Sequence, residues 1–192
     1  MMKRIGLLIV ILLVAVMVSF AQAKYEVRSF QMMISGTSNL HDWTSQVKKL
    51  SGEIVIDFND GNLEGVRQTN IRIDALSLKS SKGGIMDHKM YGALNAKTYP
   101  EISFILTKTT SIRRASGNYY VSGIGNLSIA GVTVPVDLEI KGRVLPNGDV
   151  EISGEKKLKM STFKITPPTA LLGTLKTHDD ITVSYTIIVK SR

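Results

Sequence analysis

The strongest constraint in this sequence is a period of two. Asp180 to Lys190 sets Ile181, Val183, Tyr185, Ile187 and Val189 in one register, with Thr182, Ser184 and Thr186 between them. Val132 to Lys141 does the same through Val134, Val136, Leu138 and Ile140, and Glu101 to Lys108 through Ile102, Phe104 and Leu106. Asn70 to Ala75 alternates through Ile71 and Ile73, and Glu53 to Phe58 through Ile54, Ile56 and Phe58; Gly125 to Ile129 is a further segment of this kind. Successive side chains on a strand point to opposite faces, so each segment reads as a half-buried β-strand. The fold class is all-β.

The breaks between segments carry turn chemistry. Asn59-Asp60-Gly61-Asn62, Ser116-Gly117-Asn118 and Pro146-Asn147-Gly148-Asp149 each separate two strand patterns. The Asn147-Gly148 step predicts a type I′ hairpin, because both residues tolerate positive φ. Connections this short join antiparallel neighbours. Such a sheet must bury one face, as a sandwich or by closing on itself, and closure removes the exposed edges. About eight strands closed into a barrel leave an interior that is filled by side chains or holds one ligand.

One segment departs from the strand pattern. Met86, Met90, Ala93, Leu94 and the stem of Lys97 follow helical spacing between Ile85 and Thr98. Asp87 near the start and Lys97 near the end suit the helix dipole. Tyr99-Pro100 stops the run, since the residue before proline avoids the α region. The spacing predicts one short helix over roughly 85–98, lying across one end of the β-structure.

The chain opens with Lys3 and Arg4, an uncharged apolar run from Ile5 to Val18, and Ala21-Gln22-Ala23. A basic start, an apolar stretch and small residues at the cleavage positions predict a secretory signal peptide over 1–23. The apolar run is roughly 14 residues, short of the about 20 that span a bilayer as a helix. Cleavage near Ala23-Lys24 leaves 169 of the 192 residues as a single domain over 24–192, periplasmic or secreted. The chain has no Cys, which excludes thiolate catalysis, cysteine metal sites and acylation at a cysteine. The formal charge of +8 falls to +6 without Lys3 and Arg4. The basic residues are scattered and little interleaved with aromatics, which argues against a nucleic-acid partner. They serve solubility, or transient contact with a membrane surface of anionic headgroups.

Five ordered segments resemble one family. Gly125-Asn-Leu-Ser-Ile-Ala-Gly-Val-Thr-Val-Pro-Val136 is similar to the G-x-L-T-I-x-G-V-T-x-P-V segment of the YceI-like proteins, and Tyr99-Pro-Glu-Ile-Ser-Phe104 to their YP-x-I-x-F strand start. Met86-Asp87 with Met90 and Leu94 resembles the short helix before that strand. Ser35-Gly-Thr-Ser-Asn-Leu-His-Asp-Trp43, and Met160-Ser-Thr-Phe163 with Pro167-Pro168-Thr169, resemble two motifs of one bacterial branch. The resemblance implies a closed, lipocalin-like antiparallel β-barrel, commonly periplasmic, of a family in which several members hold a long isoprenoid chain. The sequence departs from the family's R-x-D-F-G pattern: Lys159-Met-Ser-Thr-Phe163-Lys-Ile lacks the Arg, the Asp and the Gly. A headgroup contact made by those groups is not carried over.

Each histidine of the chain has an acidic neighbour. His41-Asp42, Asp87-His88 and His178-Asp179-Asp180 place an acid beside each histidine, as a metal-dependent hydrolase would want. None has a short metal-ligand spacing, and neighbouring side chains of an extended segment diverge, so these acids are read as capping turns or holding imidazoles locally. No G-x-S-x-G is present for serine catalysis. The family resemblance thus implies a non-enzymatic barrel for a polyisoprenoid or similar lipid, carrier or reservoir, with no cofactor beyond a bound isoprenoid lipid or quinone. The expected apolar lining is Trp43, Ile54, Ile56, Ile73, Met86, Met90, Phe104, Leu106, Leu127, Ile129, Met160 and Phe163, with His41 toward a headgroup. A metal hydrolase and a side-chain-filled envelope protein are the alternatives.

Overall fold

Eight antiparallel strands close on themselves. The computed structural model describes residues 21–59, 62–170 and 173–192. Along the chain run β1 (Ala21–Ser38), β2 (Trp43–Gln46), β3 (Leu50–Asn59), β4 (Asn62–Asp74), β5 (Lys79–Ser80), α1 (Gly84–Ala93), β6 (Glu101–Ala115), β7 (Asn118–Ile129), β8 (Val132–Val144), β9 (Val150–Lys159), β10 (Thr169–Ala170) and β11 (Leu175–Ser191). Short 3-10 turns stand at Ala75–Ser77 and Met160–Phe163. The barrel order is β1-β3-β4-β6-β7-β8-β9-β11, and β11 returns to β1 over Tyr25↔Ser191 to Ser38↔Thr177. The short β2, β5 and β10 pair onto its rim beside α1. The basic and apolar parts of the expected signal lie outside the described residues. Ala21, Gln22 and Ala23 belong to β1, paired with Phe58, Asp57 and Ile56.

Register shifts set the length of the strands that the alternation did not reveal. β1 shifts between Val27 and Ser29, so Tyr25 and Val27 lie in one phase and Phe30, Met32 and Ile34 in the other. β4 shifts twice against β3, and β6 twice against β7. A bulge inserts one residue and flips every later side chain to the opposite face.

The helix and one turn differ from what the residue pattern predicts. The helix spans Gly84–Ala93 and stops well before Thr98. Asn95 takes φ +47°, its N–H donates to the Gly92 carbonyl at 3.0 Å, and the Ala96 N–H donates to the Tyr91 carbonyl at 2.9 Å. That pair of bonds is a Schellman cap with asparagine in the left-handed position, which ends the helix before the proline is reached. Lys97 therefore lies outside the helix. The turn at Pro146–Asp149 is not type I′: only Gly148 has positive φ, at +84°. The Gly148 N–H donates to the Leu145 carbonyl at 2.9 Å, so Pro146 and Asn147 form the centre of a turn that Gly148 follows in the left-handed region. Positive φ at two successive residues occurs instead at Ser116-Gly117 and Ala130-Gly131.

The wall is not laddered evenly. β8 and β9 pair from Ile140↔Gly154 to Val144↔Val150, and among the described residues Val132–Glu139 and Glu155–Lys159 share no ladder pairs. β4 and β6 pair only over Asn70–Asp74. Beyond that, the Thr109 hydroxyl donates to the Val66 carbonyl at 2.9 Å and Arg114 to Asn62 at 2.7 Å. The packed core follows the fully laddered side. Tyr25, Ile54, Ile56, Val150, Ile152, Ile187 and Val189 form one buried cluster on β1, β3, β9 and β11, and Ile129, Met160, Phe163 and Ile165 a second beneath α1.

Candidate functional site: an apolar cavity inside the barrel

The inward rows of the strands do not fill the barrel. They enclose a cavity of about 420 Å³, within the range of small-molecule sites. Ile54 and Ile56 of β3, Ile73 of β4, Phe104 and Leu106 of β6, and Leu127 and Ile129 of β7 all line it. Met86 and Met90 of α1 roof it, with Ala93 and Leu94 beside them. Met160 and Phe163 reach it from their 3-10 turn, Trp43 from the start of β2, and His41 from the rim. Every residue expected to line the interior thus stands on one cavity. Ile54, Ile56, Ile129, Met160 and Phe163 are buried, whereas Trp43, Ile73, Phe104, Leu106 and Leu127 are half-buried at inward positions of the wall.

The expected lining omits several contributors. Leu138 and Ile140 of β8, and Ile181, Val183, Tyr185 and Ile187 of β11, also face the cavity. Their alternation marks them as inward, so the signal was present. Met32 and Ile34 of β1 line it too, and the bulge in β1 hides their phase.

Three features place the mouth. Trp43 lies against Gly36, where a Cβ would collide with its indole, and its Nε1–H donates to the Thr37 carbonyl at 3.2 Å. Gly36 and Trp43 are also opposite each other in the β1–β2 pair, so the only tryptophan is fixed at the cavity's end. α1 is clamped over that end by Asp87. Its carboxylate accepts from the Ser80 N–H at 2.6 Å and from Lys79 Nζ at 3.2 Å, while the Tyr91 hydroxyl donates to the Leu78 carbonyl at 2.6 Å. The Ser80 N–H, and then the Lys79 ammonium, hold the Asp87 carboxyl below the usual carboxylate range against the opposing effect of burial. Across the mouth, Lys89 Nζ donates to the Thr169 carbonyl at 2.7 Å. His41, Lys82 and Lys89 are the basic groups at the rim.

Polar groups deeper in the wall are few. Lys156 lines the cavity and pairs with Asp137 on the outer face at 2.9 Å, across the stretch where β8 and β9 are not laddered. Tyr185 lines it with its ring, and its hydroxyl is buried with no hydrogen-bond partner among the described residues. Burial pushes that phenol well above its ordinary pKa, so it stays protonated.

The histidines do not bond to their neighbouring carboxylates. His41 Nδ1 lies 3.1 Å from the Asp42 carbonyl, His88 Nδ1 2.7 Å from the Gly84 carbonyl, and His178 Nδ1 2.8 Å from the Thr37 hydroxyl. The acids serve other partners: Asp179 accepts from Ser161, and Asp180 pairs with Lys159 at 2.7 Å. Among the described residues no three His, Asp or Glu side chains converge as a metal site requires.

Solved structures share this fold. A polyisoprenoid binding domain from Saccharophagus degradans, implicated in plant cell wall breakdown, matches with a TM-score of 0.65 at 12% identity, over 91% of this chain and 100% of that one. BcnA of Burkholderia cenocepacia matches with a TM-score of 0.61 at 20% identity, over 84% and 96%. The YceI protein of Campylobacter jejuni matches with a TM-score of 0.57 at 21% identity, over 77% and 84%. No curated protein matches the sequence. The model of the YceI-like domain matches residues 19–189, nearly the whole chain, and the chain belongs to that family.

Proposed function

We propose that this protein binds a polyisoprenoid or similar long apolar chain inside its barrel, as an exported carrier or reservoir. The observation that carries the reading is the cavity: about 420 Å³ of continuous interior walled by Ile, Leu, Val, Phe and Met. A barrel serving only as a structural envelope factor would fill that space with side chains. Each CH₂ moved from water to such a wall contributes about 0.8 kcal/mol, so a long chain gains from many groups at once. Met86 and Met90 suit a flexible guest, because the unbranched thioether adapts its shape. The Saccharophagus degradans neighbour, a polyisoprenoid binding domain, supports the same class of ligand. At the rim, His41, Lys82 and Lys89 offer donors to a headgroup.

Trp43 reports occupancy. Delipidated protein titrated with geranylgeraniol is expected to show a saturable change in tryptophan emission with one site per chain. A response that rises without saturating contradicts the reading. Export is part of the proposal. The mature chain would begin at Lys24, which leaves Lys24, Tyr25 and Glu26 paired with Val55, Ile54 and Glu53. The N-terminal mass of protein recovered outside the cytoplasm tests this directly.

A further inference from the structure

We infer that the mouth end of the barrel docks on an anionic lipid bilayer. The two most exposed large apolar side chains among the described residues sit there: Ile85, 78% exposed, in the first turn of α1, and Leu40, 67% exposed, in the turn between β1 and β2. Each is next in sequence to a residue of the mouth, Met86 and His41. Leu76 and Tyr99, also exposed, lie at the same end, after β4 and before β6.

Five lysines without a carboxylate partner among the described residues surround them, against Lys24 and Lys141 toward the opposite end. Lys82, Lys89, Lys97, Lys164 and Lys176 all lie at this end, and none makes an ion pair among the described residues. The acids of this end are mostly engaged: Asp74 with Lys49, Asp87 with Lys79, Asp180 with Lys159, and Asp179 with Ser161. Asp42 is the exposed carboxylate left beside Leu40. At the opposite end the arginines are satisfied within the fold. Arg28, Arg67, Arg143 and Arg192 pair with carboxylates, and Arg113 and Arg114 lie over Tyr120 and Tyr119.

Protruding aliphatic side chains ringed by unpaired lysines match an anionic bilayer in both respects. The aliphatic groups enter the boundary between headgroups and acyl chains, and the ammonium groups stay among the phosphates. An acidic protein would satisfy the lysines and leave Ile85 and Leu40 in water. Docking does not depend on what the cavity holds, but it brings the mouth to the membrane, where an apolar chain can pass without crossing bulk water.

The test is co-sedimentation of the protein with vesicles of phosphatidylcholine alone and of phosphatidylcholine with phosphatidylglycerol, in about 50 mM and about 500 mM NaCl. Binding is expected only with phosphatidylglycerol and should weaken at high salt. Leu40→Ser with Ile85→Ser should weaken it at least tenfold. Lys97→Gln, Lys164→Gln and Lys176→Gln should each weaken it by about fivefold. Ile105→Ser with Ile124→Ser, exposed on the side wall, should change nothing. Far-ultraviolet circular dichroism checks that every variant folds. Vesicle binding that ignores phosphatidylglycerol, or that the side-wall pair reduces as much as the mouth pair, overturns the proposal. So does capture of polyglutamate by the wild type and the Leu40/Ile85 variant alike without vesicle binding, which would assign the surface to an acidic polypeptide.

Discussion

Gly154 and Tyr185 face each other across the β9–β11 pair, and a Cβ built on Gly154 would stand 2.6 Å from the Tyr185 hydroxyl. Gly154 is also the last residue of β9 laddered to β8, opposite Ile140. The glycine therefore makes room for a ring that lines the cavity, at the point where the wall stops being hydrogen-bonded. Gly154→Ala should destabilise the protein by about 1–3 kcal/mol, the usual cost of overpacking. Urea denaturation at constant m reads this. Tyr185→Phe should go the other way, by about 1 kcal/mol, because it removes a buried hydroxyl that has no partner among the described residues. A loss of stability in Tyr185→Phe would mean that the hydroxyl is bonded.

Asp87 holds the helical roof, so its charge links the roof to pH. Its folded pKa lies below the unfolded value of about 3.9. The unfolded chain then binds the proton more readily, and the stabilisation is fully present above that value and lost as the pH falls through the folded one. At neutral pH, Asp87→Asn should cost about 1–3 kcal/mol through the Ser80 and Lys79 bonds. The gap between wild type and variant should close below about pH 4. A gap that stays constant down to pH 2 would show that Asp87 acts through packing alone.

Leu138 lines the cavity and belongs to neither buried cluster. Replacing it with tryptophan puts bulk into open space. Leu138→Trp should cost less than about 1.5 kcal/mol, because the added ring does not displace packed neighbours. It should weaken uptake of geranylgeraniol at least tenfold, read by isothermal titration calorimetry since the variant carries a second tryptophan. Unchanged affinity would place the guest elsewhere.

The barrel was legible where the alternation runs unbroken. Val132–Lys141 and Asp180–Lys190 fall within β8 and β11, and their inward rows are the wall. It was illegible where bulges reset the phase: β1 went unrecognised because Val27 and Met32 lie on the same face in different parities. The helix overran because Asn95, a residue that tolerates the left-handed region, caps it in a position where no glycine announces a stop. The strand part of the lining followed from periodicity, since any inward apolar residue faces the interior; Trp43, Met160 and Phe163 lie outside the alternating segments. That the interior is open follows from side-chain volumes and strand spacing together, which no pattern of two encodes. The rim lysines were legible only as scattered charge, because Lys82, Lys97, Lys164 and Lys176 are far apart in sequence and meet only at one end of the closed sheet.

The most direct test of the central claim is native mass spectrometry of the protein purified from its own host. A mass above that of the polypeptide is expected, removed by chloroform–methanol extraction, with the released species an isoprenoid chain, and absent from Leu138→Trp prepared in the same way. A wild-type protein that emerges at the bare polypeptide mass, and takes up no isoprenoid when offered one after delipidation, would contradict it.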